Sequence, residues 1–427
     1  MEITFIKELQ QRGMLHTITP KIEETLINTT KAYVGIDPTA PSLHIGNLAT
    51  LMLLRHFQLK GHRPILVLGG ATGMIGDPSF KATERKLLDE EILRHHEACL
   101  AKQLRGLLDF SGQYAAILLN NYDWLKKINT LHFLRDTGKY ISVNYMMSKD
   151  SVKNRMRTGI SYTEFAYQLL QAYDFYHLYK EHDVKIQMGG ADQWGNITTG
   201  IELIRKRLHA SVHGLTTPLI TKADGTKFGK TEQGNIWLDP TMTSPYHFYQ
   251  FWLNCSDEEA VILMKRLTLE PLDAIQELID SHRQYPHQRI LQKRVAQHIT
   301  CLVHSQATYQ KVVKASTILF GNTSPKELGQ LSKDELLDLL AEVPHIRIPS
   351  EKFTHINSLT ELLSTATDGV VCTSKREARE LIQSGSIRIN KMQYRNLSTL
   401  PTLTFLQGNY LLVQRGKKHY YLIERIP

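Results

Sequence analysis

Between Lys31 and about Leu219 the chain alternates short apolar runs with longer stretches whose apolar residues recur at helical spacing. Four runs, KAYVGI, PILVLGG, AAILLN and VKIQMGG, have the length and composition of buried strands, and each leads into turn residues. This alternation predicts an α/β fold, a Rossmann-like parallel-sheet domain over residues 1–220 that begins with a helical lead-in. Ligands of such sheets bind beyond the carboxyl ends of the strands. From Pro245 to Gly321 the strand signal disappears. Ile290, Leu291, Val295, Ile299, Leu302 and Val303 instead repeat at helical spacing, so residues 245–321 are expected to form an α-helical domain. Gly321, Asn322, Ser324, Pro325, Pro344 and Pro349 bracket one short helix, Lys333 to Glu342, and residues 322–350 read as a linker. Residues 351–427 are expected to form a small basic α+β domain: Thr373 to Met392 reads as a capped helix that stops at Gly385 and turns into a strand.

The polar residues of interest fall where strands end and helices begin. In YVGIDPTAPSLHIGNL, residues 33–48, a strand runs through a proline-containing loop into His44-Ile45-Gly46-Asn47, which opens a helix whose apolar side continues through Leu48, Leu51, Met52, Leu54 and Leu59. Backbone N–H groups at a helix start are unpaired and the macrodipole favours an anion there. Donors from Thr39 and His44 would therefore grip a polyphosphate, and Gly46 would let a flat base lie against the backbone. Taken alone, His44 and Gly46 also fit a buried imidazole and a packing glycine. The difference is made by a second basic loop, Lys227-Phe228-Gly229-Lys230-Thr231, in the segment 221–244, which could hold a triphosphate from the other side. This pair resembles the HIGH and KMSKS signatures of class I aminoacyl-tRNA synthetases, with Asn47 in place of the second His and KFGKT as the second motif.

Three further segments carry candidates. The second strand runs into GGATGMIGDPS, residues 69–79, where a dinucleotide site with Asp89 on the ribose is one reading; the spacing is not G-x-G-x-x-G, and that reading leaves His44 and Lys227 unexplained. Asp77, after the glycine turn, is better placed to receive a cationic group such as an α-ammonium. In TEFAYQLLQAYD, Tyr167, Gln171 and Asp174 share one helix face. A polar stripe on a helix that also carries Phe165, Leu169, Leu170 and Tyr173 needs partners, which a ligand with an ammonium at one end and a hydroxyl at the other would supply. Asp192, after VKIQMGG, can accept from ribose hydroxyls or cap the next helix.

Charge and cysteine usage narrow the partners. The 427 residues carry a net charge of +9. Residues 351–427 hold 11 Lys/Arg against 6 Asp/Glu, so a polyanion is expected at that end. The four cysteines have neither C-x-x-C spacing nor partnered histidines, which suggests a reducing compartment and no structural zinc. His282, His287, His298 and His304 are read as core or surface residues. No apolar run reaches membrane-spanning length, and a cytoplasmic protein is expected.

The segments TEFAYQLLQAYD, GGADQWGN and ADGTKFGKT, with GIDPTA and GGATG before them, stand in the order and spacing of the bacterial-type tyrosyl-tRNA synthetases, and the whole chain resembles that family. The resemblance implies activation of tyrosine with ATP, then transfer to the terminal ribose of tRNA(Tyr). It assigns catalysis to Thr39, His44, Lys227, Lys230 and Thr231, and ATP binding to Gly35, Asp37, Gly46, Asn47, Gly189, Asp192 and Gln193. It puts Tyr33 and Asp174 at the substrate phenol and Asp77, Tyr167, Gln171 and Gln187 around its ammonium. Mg²⁺ is expected with ATP, held by ATP oxygens and water. The resemblance also implies a homodimer, with Phe133, Leu134 and Tyr140 as possible contributors to the interface. The basic tail resembles a small RNA-binding fold known from a ribosomal protein, with Lys375, Arg376, Arg379, Arg388 and Lys391 toward phosphates. A tryptophan-specific synthetase is an alternative that Asp174 argues against, since indole offers its donor elsewhere. A non-catalytic RNA-binding relative is another, opposed by the presence of His44, Lys227 and Lys230.

Overall fold

Strand β2 (Lys31–Ile36) lies inside a six-stranded sheet with β3 (Arg63–Leu68) on one side and β5 (Ile186–Gly190) on the other. With β1 (Thr17–Ile18), β4 (Ile117–Asn120) and β6 (His213–Thr217), the order is β1-β6-β5-β2-β3-β4; β1 is antiparallel to β6 and every other pairing is parallel. The chain leaves β2 toward β3 on one side and arrives from the far edge to lay β5 on the other, so the strand order reverses between β2 and β5. A crevice opens at such a point, outside the carboxyl ends of the strands. The computed structural model describes residues 4–79, 87–156, 159–221, 228–231, 234–320, 324–340, 343–395, 400–416 and 419–427.

The four predicted runs supply β2 to β5. β1 and β6 were not anticipated: β1 has two residues, and β6, HGLTT, is too polar to read as a strand although all five of its residues are buried. Their place is set by pairing with neighbours rather than by local pattern. Two helices bracket the crevice. The helix Leu48–Leu59 buries Leu48, Leu51, Met52, Leu54 and Phe57, whereas Leu59, expected on that side, ends the helix 64% exposed. The helix Tyr162–His182 starts at Ser161, whose side chain accepts from Glu164 N–H, and ends at Asp183 in the left-handed conformation. Glu164 on its first turn makes a buried ion pair with Arg155 at 2.7 Å.

The chain divides into two compact units, residues 1–243 with 250–304, and residues 244–249 with 305–427. The first holds the sheet and the helices Asp257–Leu267, Leu272–Gln284 and Ile290–Val303. The second holds the helix Gln306–Phe320 and a five-stranded sheet in the order Met392–Gln393, Ile387–Ile389, Tyr410–Arg415, His419–Ile426, His345–Pro349. Residues 322–350, expected as a linker, contain two capped helices, Pro325–Gly329 and Lys333–Leu339, and the edge strand His345–Pro349, which pairs in parallel with His419–Ile426. The proline-rich ends of that strand disguised it, and an edge strand tolerates proline. The basic helix Lys375–Gln383 stops at Gly385, which has φ +70°; a Cβ there would lie 2.1 Å from Gln393 Nε2, the group that donates to the Gly385 carbonyl. No helix among the described residues is long and apolar enough to cross a membrane.

Leu363 is fully buried in the core of the second unit with Leu359, Ile382 and Ile423. Leu363→Ala should cost about 2–5 kcal/mol. In hydrogen exchange, protection should fall across the five-stranded sheet and remain unchanged in β2 and β5.

Candidate active site

The turns after β2, β3 and β4 meet over one buried carboxylate. Asp174, on the Tyr162–His182 helix, is 4% exposed and accepts from Asn121 Nδ2 at 2.9 Å and Trp124 Nε1 at 2.8 Å. Burial drives its pKa up, the two donors pull it down and the Asp37 charge raises it, leaving it at about 7. Tyr33 of β2 is 1% exposed and its hydroxyl has no hydrogen-bond partner among the described residues; burial and the Asp174 charge hold its pKa well above the ordinary tyrosine value. A buried acceptor and a buried unpartnered hydroxyl thus stand close together, a setting suited to a ligand that both donates and accepts.

Asn121 extends this group across the sheet. Its carbonyl oxygen accepts from Ala71 N–H at 2.8 Å, and its amide also donates to Thr72 Oγ1 at 2.9 Å. Thr72 in turn donates to Asp37 Oδ1 at 2.7 Å, while Tyr167 donates to Asp37 Oδ2 at 2.8 Å. Gly69 is required here, because a Cβ would lie 2.0 Å from Asp37 Oδ1. A second group surrounds Asp77, which is 7% exposed: Gln193 Nε2 donates to its Oδ2 at 2.8 Å, and Ser79 N–H donates to its Oδ1 at 2.9 Å. Gln171 Nε2 donates to Gln193 Oε1 at 3.2 Å and Asn196 Nδ2 to Gln171 Oε1 at 3.0 Å. Gln193, assigned to ATP by the resemblance, therefore joins Asp77 and Gln171. Gln187, assigned to the ammonium, sits in register with Tyr33, and its buried Oε1 has no partner among the described residues.

The second face of the crevice is polar and open. Thr39 is exposed, its N–H donating to the Asp37 carbonyl at 2.9 Å, and Gly35 has nothing within 4 Å of where a Cβ would stand. The helix start is a 3₁₀ turn, Ile45–Asn47, ahead of Leu48–Leu59. Asn47 Oδ1 accepts from His44 N–H at 3.0 Å, which leaves its Nδ2 as the end able to donate outward. A Cβ on Gly46 would lie 2.8 Å from His44 Cε1, so the glycine gives room to the imidazole. At the β5 end, Gly189 admits the Gln193 side chain and Gly190 admits the half-buried Asp192 carboxylate, 2.5 Å from where a Cβ would be.

The described part of the downstream loop reaches this helix start. Ile45 N–H donates to the Ile236 carbonyl and Ile236 N–H to the Gly229 carbonyl, each at 3.1 Å. Gly229 has φ +90°, and a Cβ on it would lie 2.5 Å from Ile45 Cγ1. Lys227 lies outside the described residues. Lys230 and Thr231 form a short strand paired with Gly234–Asn235, and their side chains are likewise outside the description.

Residues 27–321 match the tRNA synthetases class I (W and Y), and residues 335–423 match the tyrosine–tRNA ligase SYY-like C-terminal domain. The chain is 56% identical to the tyrosine–tRNA ligase of Amoebophilus asiaticus (strain 5a2), over 98% of this chain and 99% of that protein. It is 52% identical to that of Cytophaga hutchinsonii, over 98% and 99%. The chain belongs to the tyrosine–tRNA ligase family. Among solved structures, a C-terminally truncated mitochondrial tyrosyl-tRNA synthetase of Aspergillus nidulans superposes with a TM-score of 0.68 at 29% identity, covering 75% of this chain and 95% of that one. A tryptophanyl-tRNA synthetase of Encephalitozoon cuniculi, 12% identical with a TM-score of 0.52 over 78% of this chain and 90% of that one, shares the fold alone.

Beside the residues expected of this family, the structure brings in Asn121, Trp124, Thr72, Gly69 and Asn196, which sequence reading did not single out. Asn121 had a usable signal, since it follows a predicted strand directly. Trp124 had none, because only the fold sets its indole against Asp174.

Gly69→Ala should displace the Asp37 carboxylate and break its bond with Tyr167. Tyrosine-dependent ATP–pyrophosphate exchange is expected to fall about 10- to 100-fold, with the far-ultraviolet circular dichroism unchanged.

Proposed function

We infer that the protein is a tyrosine–tRNA ligase that joins L-tyrosine and ATP as tyrosyl-adenylate with release of pyrophosphate, then transfers the tyrosyl group to the 3′-terminal ribose of tRNA(Tyr). The observation that carries the reading is the Asp174–Tyr33 pair. The substrate phenol donates to the Asp174 carboxylate and accepts from the Tyr33 hydroxyl. Phenylalanine would leave the Tyr33 hydroxyl buried and unpaired, a penalty of about 1–3 kcal/mol, and would deprive Asp174 of the donor that joins Asn121 and Trp124. The substrate ammonium lies toward Asp77 and Gln171, whose side-chain oxygens accept from Gln193 and Asn196, and toward Tyr167, which donates to Asp37.

No covalent enzyme intermediate is needed. A tyrosine carboxylate oxygen bonds to the α-phosphorus as the bond from that phosphorus to the bridging oxygen of pyrophosphate breaks, so catalysis reduces to alignment and charge stabilisation. Thr39 and His44 act on the departing phosphates from one side and Lys227, Lys230 and Thr231 from the other. Gly35, Asp37, Gly46, Asn47, Gly189 and Asp192 lie around the nucleotide. Contacts that strengthen in the transition state lower kcat when removed. Mg²⁺ enters with ATP, and phosphate oxygens and water supply its ligands.

Two partners complete the reading. A second copy of the chain meets the face carrying Leu131, Leu134 and Val143, which are 74%, 44% and 59% exposed; Phe133 and Tyr140 behind it are half-buried. The tRNA meets the basic face of the second unit. Arg379 and Arg388 are exposed there, Lys375 and Arg376 are tied to Glu361 and Glu380 by exposed ion pairs at 3.1 Å, and Lys391 lies 5.5 Å from the Tyr420 ring centre. Exposed pairs of this kind exchange readily for phosphate. Such a protein works in the cytoplasm.

The first test is ATP–pyrophosphate exchange with tyrosine, phenylalanine and tryptophan, on the intact chain and on Lys230→Ala. Exchange with tyrosine alone that collapses in the variant supports the reading; exchange with none of the three, with tRNA binding retained, overturns it. Because the Asp174 pKa stands near 7, its carboxylate gains a proton as pH falls from 8 to 6 and ceases to be the acceptor. The KM for tyrosine should rise over that window while the KM for ATP stays flat, and Asp174→Asn should abolish the dependence. Replacing Arg379 and Arg388 together with alanine should weaken tRNA binding and reduce the slope of log K against log salt by about 1 for each phosphate that is no longer neutralised.

A further inference from the structure

Trp124 reaches Asp174 from an element with little hold on its own orientation. It sits in a four-residue helix, Tyr122–Leu125, and one helical turn has no intrinsic stability in water. Nor does the residue before it supply a side-chain cap: the Asn121 carboxamide is engaged by Ala71, Thr72 and Asp174. The plane of the indole must therefore be fixed by what lies against it.

One such contact is His177. Its ring stacks on the Trp124 indole with centroids 4.6 Å apart and planes 18° from parallel. His177 follows Asp174 by three residues on the same helix, so the two side chains project from adjacent positions on one face. Asp174 takes the indole N–H at its edge and His177 covers its face. Tyr173 lies roughly parallel to the imidazole at 6.5 Å, and the His182 ring is 6.1 Å away. Burial, with His182, Lys180 and Lys127 outweighing Glu181, lowers the His177 pKa, so near neutral pH the stack is between two uncharged rings.

The geometry points to His177 as a positioning residue for tyrosine selection: its imidazole holds the Trp124 indole in the plane that delivers Nε1–H to Asp174, and it acts on the substrate phenol only through that bond. This rests on the reading that Asp174 receives the tyrosine hydroxyl. The phenol is remote from the reacting carboxylate, so the effect belongs to binding shared by ground and transition states.

The test compares His177→Ala, His177→Phe and Asp174→Asn in the full chain, by tyrosine-dependent exchange and by the preference for tyrosine over phenylalanine. His177→Ala should raise the KM for tyrosine about two- to tenfold, the range of an aromatic contact, and lower the preference by the same factor. Its kcat and its KM for ATP should stay within about twofold of the parent. His177→Phe keeps a flat ring and should restore both quantities. A general structural role would instead lower kcat or raise the KM for ATP in His177→Ala, and that outcome overturns the proposal. Equal impairment in the Ala and Phe variants also overturns it, since the stack would not be the cause. If His177→Ala matches the parent while Asp174→Asn loses tyrosine, the proposal fails and the Asp174 reading stands. If Asp174→Asn leaves the KM and the preference unchanged, the Asp174 reading fails and this proposal with it.

Discussion

A carboxylate removed from water must be compensated by donors or give up its charge, and Asp174 is held between the two conditions. Two neutral donors reach it, and no cation pairs with it among the described residues. Each donor brings part of the fold with it. Asn121 ties the end of β4 to the turn after β3, and Thr72 ties that turn to Asp37 after β2. Three successive strand ends are thus joined by side chains at the point where backbone pairing stops. Asn121, one of the two donors that supply Asp174, also ties these strand ends together.

The side of the site at the 3₁₀ turn Ile45–Asn47 is organised differently. Around Asp174 and Asp77 side chains supply three of the donors, from Asn121, Trp124 and Gln193, and the Ser79 N–H a fourth. Beside His44 backbone groups join the segments: Leu238 N–H donates to the Leu43 carbonyl, Ile45 N–H to the Ile236 carbonyl, and Ile236 N–H to the Gly229 carbonyl. Side-chain networks give a pocket selectivity, because each group has a particular partner to lose. Backbone contacts hold Gly229 and Ile236 to the helix start.

Much of this was legible because strand-end residues in a parallel sheet follow from local pattern. Tyr33, Asp37, Asp77 and Asp192 each lie on or just after a predicted strand, and the rhythm of Tyr167, Gln171 and Asp174 follows from helical spacing. What could not be read depended on register between distant segments. Gln187 sits beside Tyr33 only because β5 pairs with β2. Trp124 meets Asp174 only because a short turn after β4 folds under a helix that begins nearly forty residues later. The strand His345–Pro349 was hidden because its partner, His419–Ile426, lies more than seventy residues downstream and because proline marks both of its ends. Nothing local in β6 distinguishes HGLTT from a loop.

The contact between Gly229 and Ile45 makes one mechanical part of two distant stretches of sequence. Ile45 occupies the space a side chain at 229 would need, and Ile236 joins both segments through its own N–H and carbonyl. The loop cannot slide by a residue without lifting the first turn of the Leu48–Leu59 helix or unzipping those bonds. The glycine thereby acts as a close-fitting joint: the Ile45 side chain fills the place of a Cβ at 229 and sets the distance between the loop backbone and the helix start.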